Sequence, residues 1–206
     1  MKGNHSAAST ETEIKLWIPP GRALESRLRR LGFRVAAPRR FERNALFDFE
    51  DRCLSKDGAM LRLRSENGRS LLTFKGSARP SKRYKIRREI EVEVDDAAGQ
   101  SLRTILRAAG LRQVFRYEKF RTTYAPSPRA RGPQGLAFFD ETPIGNYLEL
   151  EGTPQWIDRT ARSLGLSPEA YITASYAKLY LDACRRRGVK PGNMVFRKVH
   201  RPKRKT

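Results

Sequence analysis

Charged side chains recur at alternate positions along this chain. Glu11, Glu13 and Lys15 share one parity, and Lys85, Arg87, Glu89, Glu91 and Glu93 share another. Arg62 with Arg64, Lys119 with Arg121, and Glu149 with Glu151 repeat the spacing, while Lys75 ends the run Leu71-Leu72-Thr73-Phe74. A period of two is the mark of a strand, on which residues i and i+2 lie ~6.5–7 Å apart on one face. Carboxylates so placed, or on neighbouring strands, can bracket metal ions ~3.5–4 Å apart. The bases Lys15, Arg62, Arg64, Lys75, Lys85, Arg87, Lys119 and Arg121 can together neutralise a triphosphate of charge about −4.

The elements that carry these residues read as mostly antiparallel α+β. Asn67-Gly68, between Leu61-Arg62-Leu63-Arg64 and the Leu71–Lys75 run, signals a tight hairpin turn. Leu136 to Glu141 and Asn146 to Glu151 form a second strand pair across Pro143-Ile144-Gly145. Leu24, Leu28 and Leu31 predict a helix stopped by Gly32, and Leu102, Ile105, Leu106 and Ala109 another before Gly110. Thr153-Pro154 caps a third helix, and Ser167-Pro168 is expected to start the last, carrying Tyr171, Ile172, Ser175, Tyr176, Leu179 and Tyr180. The Pro-, Gly- and Arg-rich stretch from Ala125 to Gly135 is expected to be a mobile loop.

For one strand alone, a charged face turned to water is sufficient explanation. Six such strands, with acids and bases mixed in each stripe, suggest another arrangement. If the amphipathic helices pack on the apolar strand faces, the charged faces converge as the sheet curls shut. Buried charges need partners, and a polyanion with its metal ions would complete the match.

Composition narrows the chemistry further. The 206 residues fit one domain with short tails, at a net charge of +21. Arg185 to Thr206 holds ten Lys or Arg and no acid, and so reads as a disordered basic tail. It offers a sequence-indifferent electrostatic contact to RNA, polyphosphate or an anionic surface. The expected organisation is therefore a flexible segment 1–9, a domain 10–184 and the tail 185–206. His5 and His200 are the only histidines, one in each expected tail, which excludes histidine-based nucleophilic catalysis and histidine zinc sites from the body. Oxygen ligands suit Mg²⁺ or Mn²⁺. Cys53 and Cys184 form no CxxC. No apolar run of membrane length occurs, and Met1 to Thr10 lacks the apolar core of a signal peptide, so the expected address is the cytoplasm.

Glu11-Thr12-Glu13-Ile14-Lys15 resembles the N-terminal ExExK of the CYTH, or triphosphate tunnel metalloenzyme, superfamily. The resemblance continues in order through Asn44-Ala45-Leu46-Phe47-Asp48, Leu61-Arg62-Leu63-Arg64, Leu71-Leu72-Thr73-Phe74-Lys75-Gly76 and Arg87-Arg88-Glu89-Ile90-Glu91. It ends with Lys119 and Arg121, Asp140, Leu148-Glu149-Leu150-Glu151-Gly152 and Ser175-Tyr176, and so spans roughly residues 8–184. Arg88 departs from the family's acid at that point but points away from the interior by parity. The resemblance implies an eight-stranded antiparallel closed β-barrel with a charged interior and helices outside. It implies Glu11, Glu13, Glu149 and Glu151 as the leading metal ligands, with Asp140, Glu89 and Glu91 behind them. It implies Lys15, Arg62, Arg64, Lys75, Arg87, Lys119 and Arg121 as phosphate contacts, and places Glu11, Glu13, Lys15 and Lys75 nearest the chemistry. Tyr176, on an apolar helix face, is read as core.

The implied activity is metal-dependent processing of a small-molecule triphosphate, in the manner of bacterial class IV adenylate cyclases that turn ATP into cyclic AMP and pyrophosphate. Hydrolysis of thiamine triphosphate, tripolyphosphate or nucleoside triphosphates is the alternative, since only the nucleophile differs. A non-catalytic binder of polyphosphate or RNA 5′-triphosphate is the third reading; it would need the bases but not the acids.

Overall fold

A computed structural model of the chain describes residues 8–20, 23–127 and 134–197. Eight strands, β1 (Ser9–Ile18), β2 (Phe33–Asp48), β3 (Met60–Glu66), β4 (Arg69–Lys75), β5 (Lys85–Asp95), β6 (Arg112–Pro126), β7 (Leu136–Thr142) and β8 (Gly145–Glu151), close into one antiparallel barrel. Their order around the barrel is β1-β5-β4-β3-β2-β6-β7-β8, with β8 returning to β1. The helices α1 (Leu24–Arg30), α2 (Cys53–Lys56), α3 (Asp96–Ala108), α4 (Pro154–Ser163) and α5 (Tyr176–Arg186) lie outside the barrel wall. None of the described helices is long and apolar enough to cross a membrane.

Both faces of β1 are buried. Ile14 and Leu16 turn outward into a core with Leu28 of α1, Ile157 of α4, and Leu148 and Leu150 of β8. Glu11, Glu13 and Lys15 take the other parity and face the interior. A second core joins Ala45, Phe47 and Leu63 to Leu54 of α2 and Leu106 of α3. The apolar stripes are thus consumed by helices, which leaves the charged stripes facing one another.

The local signals act as expected. Asn67 (φ 48°) and Gly68 (φ 74°) both take positive φ, as a two-residue I′ hairpin between β3 and β4 requires. Thr153 caps α4 by accepting from the Trp156 N–H, and Asp95 caps α3 by accepting from the Ala98 N–H. Gly99, in α3, lies against Ser70 of β4: a Cβ there would stand 2.2 Å from Ser70 Oγ and 2.5 Å from its Cβ. Gly99→Ala is therefore expected to push α3 off the sheet and destabilise the protein by about 1–3 kcal/mol, read as a lowered denaturation midpoint with an unchanged m-value.

Two expectations change. The last helix does not begin at Ser167-Pro168. Pro168–Ala170 makes a single 3-10 turn, and Ile172 then pairs with Lys15 through reciprocal backbone hydrogen bonds (2.9 and 2.8 Å). Helix α5 starts only after Ser175, whose side chain accepts from the Lys178 N–H. The expected boundary at Cys184 also fails, because α5 runs on to Arg186 and the chain then returns to the barrel. Strand β7 pairs with β6 only at residues 120–124, so the edge of β6 near Tyr117 lacks a β7 partner. Met194 takes that edge: its N–H donates to Arg116 O (3.0 Å), its carbonyl accepts from the Glu118 N–H (2.9 Å), and its side chain is fully buried. Phe196 adds to a ring cluster with Phe41 and Phe120. The short apolar stretch Met194-Val195-Phe196 was masked by the arginines around it. Residues 1–7, 128–133 and 198–206, which cover most of the expected N-terminal segment, the loop's centre and the rest of the basic tail, lie outside the described residues.

Candidate active site

The inward strand faces enclose a cavity of about 900 Å³. It is lined by Glu11, Glu13, Lys15, Arg62, Arg64, Lys75, Lys85, Arg87, Glu89, Glu91, Lys119, Arg121, Glu149 and Glu151. Of the residues expected from sequence, only Asp140 does not reach it. Cross-strand register brings these residues together: Glu11 opposes Arg87, Glu13 opposes Lys85 and Glu151, Lys15 opposes Glu149, and Arg121 opposes Asp140.

The charges sort into three groups. In the first, Glu13 lies 3.2 Å from both Lys15 and Lys85 and 3.7 Å from Arg87. Burial pushes the Glu13 carboxyl up, but Lys15 and Lys85 more than offset it and hold it far below the usual carboxylate range. Lys15 is raised above its usual value, because Glu13 and Glu149 outweigh its burial. Lys85 is instead brought down to about 8 by burial and by Lys15.

The second group is a wall of fixed pairs. Asp140 is completely buried and accepts from Lys119 Nζ (2.8 Å), Arg121 Nε and Nη2 (2.6 Å each) and Tyr176 Oη (2.7 Å). Arg121 also pairs with Glu149, which lies 3.2 Å from Lys15. Glu42 sits between Arg64 (3.4 Å) and Lys119 (3.5 Å). Burial would raise the carboxyls of Glu42 and Glu149, but these cations hold both well below the ordinary range. Asp140, expected as a metal ligand of second choice, spends its oxygens on four donors and acts as an anchor for Lys119 and Arg121.

The third group is different in kind. Lys75 Nζ lies 2.5 Å from Glu11 and 3.1 Å from Glu89. Glu151 opposes Glu13 nearby and, among the described residues, has no cation within ion-pair distance. Burial, reinforced by Glu11, lifts Glu151 to about 7; burial, with Glu11 and Glu91 adding to it, lifts Glu89 to about 7 despite Lys75. Carboxyls crowded until they retain protons mark a place short of positive charge. Among the described residues, no three acids stand at metal-holding spacing, and Lys75 occupies the space between Glu11 and Glu89. The donor chemistry, oxygen only and under-compensated, nonetheless fits a hard divalent cation.

Five further residues of the site carry no site role in the sequence reading: Glu42, Asn44, Thr73, Tyr117, which shares the parity of Lys119 and Arg121, and Tyr176. Thr73 donates to Glu91 (2.7 Å) and accepts from Arg62 (3.1 Å), and Asn44 accepts from Arg64 (3.3 Å). Tyr176, read as core, is a member of the wall, with Lys15 and Lys119 over its ring at 5.5 and 5.2 Å. The alternation Glu42-x-Asn44, continuing the parity of the segment Asn44 to Asp48, was the signal available for two of them. Two buried arginines, Arg62 and Arg87, keep an Nε with no hydrogen-bond acceptor among the described residues. At the α5 end the cavity becomes apolar, bounded by Leu46, Phe115, Leu181 and Pro191.

Comparison with known proteins agrees with this geometry. A family model described as the CYTH domain matches residues 9–176. A Methanocaldococcus jannaschii protein named as a candidate adenylate cyclase is 28% identical over 174 residues, covering 82% of this chain and 97% of its own. A Vibrio parahaemolyticus structure, also described as a candidate adenylate cyclase, superposes at a TM-score of 0.67 with 17% identity, over 84% of this chain and 98% of that one. A Hippeastrum structure, described as a candidate adenylyl cyclase with a dominant triphosphatase activity, gives a TM-score of 0.60 and 18% identity, over 88% and 97%. At such identities the two structures establish the shared fold.

Proposed function

The chain belongs to the CYTH domain family, and from that premise we propose that it binds the triphosphate of an ATP-like compound inside the barrel and, with Mg²⁺ or Mn²⁺, converts it to a cyclic nucleotide and pyrophosphate. The observation that carries this reading is the pair of buried arginines, Arg62 and Arg87, each with an unsatisfied Nε, on the wall of a 900 Å³ cavity. A buried guanidinium N–H without an acceptor is costly, and a phosphate oxygen satisfies it. The cavity exceeds what a bare triphosphate needs, and its apolar end at Leu46, Phe115 and Leu181 suits an organic group.

The charge balance supports a metal partner. Acids and bases on the inward faces nearly cancel, so a triphosphate of charge about −4 entering alone would leave that charge buried without compensation. Glu11, Glu89 and Glu151, the crowded carboxylates, are the residues that would hold the cation. When bound, it supplies polarisation of phosphoryl oxygens and neutralises charge in the transition state. The protein's own part is positional. Arg62, Arg64 and Arg87 fix the phosphate chain in one register; Lys15, Lys119 and Arg121, held by Glu149 and Asp140, keep their ammonium and guanidinium groups in place without reorganisation. Cyclisation places the ribose 3′-hydroxyl on the α-phosphorus and releases pyrophosphate. The name of the M. jannaschii relative supports that direction. Water on the terminal phosphorus would use the same grip, as the activity ascribed to the Hippeastrum protein illustrates.

The test is to supply ATP, thiamine triphosphate and tripolyphosphate with Mg²⁺ or Mn²⁺ and to resolve products by phosphorus NMR, with Glu11→Gln as control. Cyclic AMP with pyrophosphate, lost in the variant, is the expected result. Orthophosphate without cyclic AMP would replace the cyclase by a triphosphatase. Absence of turnover with all three would leave the binder reading.

A further inference from the structure

A second, smaller cleft of about 330 Å³ lies on the outside of the barrel, in the groove between α3 and the outer face of β2 and β6. Its lining contains three arginines, Arg43, Arg103 and Arg116, one acid, Asp96, and the neutral donors Gln100, Gln113 and Ser65. Register explains the assembly. Arg43 and Ala45 point outward between inward-facing Glu42 and Asn44, and Ala45 pairs with Arg116 across the strands. Asp96, Gln100 and Arg103 stand at i, i+4 and i+7 and so share one face of α3.

Side-chain contacts orient Arg103 and Arg43, and Arg116 stands exposed beside them. Arg103 Nη1 donates to Gln113 Oε1 (2.9 Å), and its guanidinium lies over the Phe47 ring at 5.8 Å. Arg43 lies over Phe41 at 5.2 Å. Among the described residues, none of the three has a carboxylate within ion-pair distance. Two acids are near. Asp96 Oδ1 accepts from Ser70 Oγ (3.3 Å), and Glu118, opposite Arg43 in register, accepts from the Phe196 N–H (3.1 Å). Burial and the adjacent Arg107 press the Arg103 guanidinium below its usual pKa, although Asp96 pulls the other way. Guanidinium groups gathered beside amide donors, and left without an ion-pair partner among the described residues, are complementary to a tetrahedral oxyanion.

We propose that this outer cleft is a second phosphate site, separate from the barrel interior, in which Arg43, Arg103 and Arg116 hold the phosphate of a free oligophosphate or of a polynucleotide backbone. The wall of β2 separates it from the tunnel, so the two sites bind independently. This reading does not depend on the activity of the tunnel.

The site-resolved measurement is proton–nitrogen NMR of the full chain, following the Arg103 Nε–H and the Gln113 side-chain amide. Inorganic pyrophosphate is titrated first, then an oligouridylate of about ten nucleotides. Both resonances are expected to shift and saturate with at least one probe. In the variant Arg43→Ser/Arg103→Ser/Arg116→Ser the Gln113 shift is expected to weaken by at least about tenfold in midpoint, while triphosphate turnover stays within about twofold. Saturation by pyrophosphate alone assigns the cleft to free phosphates. Tighter saturation by the oligouridylate, with a log–log salt slope that falls in magnitude by about 2 in the variant, assigns it to a polynucleotide. Resonances of the cleft that stay fixed with both probes while tunnel resonances move, or a Gln113 shift retained in the variant, would overturn the proposal.

Discussion

Lys75→Met is expected to lower the melting temperature of the protein sharply in divalent-free buffer, and Mn²⁺ is expected to recover most of the loss. Lys75 Nζ lies 2.5–2.6 Å from the two oxygens of Glu11 and 3.1 Å from Glu89, and the side chain is almost wholly buried. Its removal leaves Glu11 and Glu89, beside the neighbouring Glu151, in the interior without the ammonium those two share. Breaking one partner out of a buried pair costs about 3–5 kcal/mol, since the remaining charge is uncompensated. For a chain of this size that corresponds to a fall of roughly 10 °C. On the proposed reading, a divalent cation held by the crowded carboxylates of the folded state alone would stabilise that state by mass action. Melting curves of wild type and variant, with chelator and across a Mn²⁺ series, give the answer. A deficit that Mn²⁺ leaves unchanged would remove Glu11, Glu89 and Glu151 as the metal-holding set.

Asp140→Asn is expected to destabilise by a similar amount, but with the opposite rescue. Asp140 is the shared acceptor for Lys119, Arg121 and Tyr176 in a fully buried position. An amide oxygen can keep some of these hydrogen bonds but supplies no charge, so among the described residues Lys119 and Arg121 are left with the carboxylates of Glu42 and Glu149. The loss is about 3–5 kcal/mol. Because the deficit is of negative charge, tripolyphosphate should raise the variant's melting temperature more than the wild type's, and Mn²⁺ alone should not. Selective recovery by Mn²⁺ would instead restore Asp140 to the role of metal ligand that the sequence resemblance implied. The two variants together map which end of the tunnel is short of which charge.

Most of the inward set is legible in the alternation of charged residues. Alternation at Glu11-Glu13-Lys15, Arg62-Arg64, Arg87-Glu89-Glu91, Lys119-Arg121 and Glu149-Glu151 specifies one face of each strand, because the pleat allows nothing else. The apolar parity of the same strands required helices over it, and Asn67-Gly68 closed the β3–β4 hairpin through its positive φ values. Which acid meets which base was decided only by tertiary structure. Lys75 reaches Glu11 across 64 residues, and Arg121 reaches Glu149 across 28, through barrel closure and register that no local pattern encodes. Glu42 shares the parity of Asn44, but the bases it meets, Arg64 and Lys119, are set by the pairing of β2 with β3 and β6 rather than by any local pattern. Tyr176 looks like core on a helical wheel and becomes part of the site only because α5 begins at Tyr176 itself, capped by Ser175, against the barrel's end. Met194 reads as part of a charged tail and is buried because β6 extends past β7, leaving backbone groups that the returning chain satisfies. Local periodicity fixes the face on which a side chain lies; the charge it meets there, and hence whether it anchors, binds or waits for a cation, is set by strands distant in sequence.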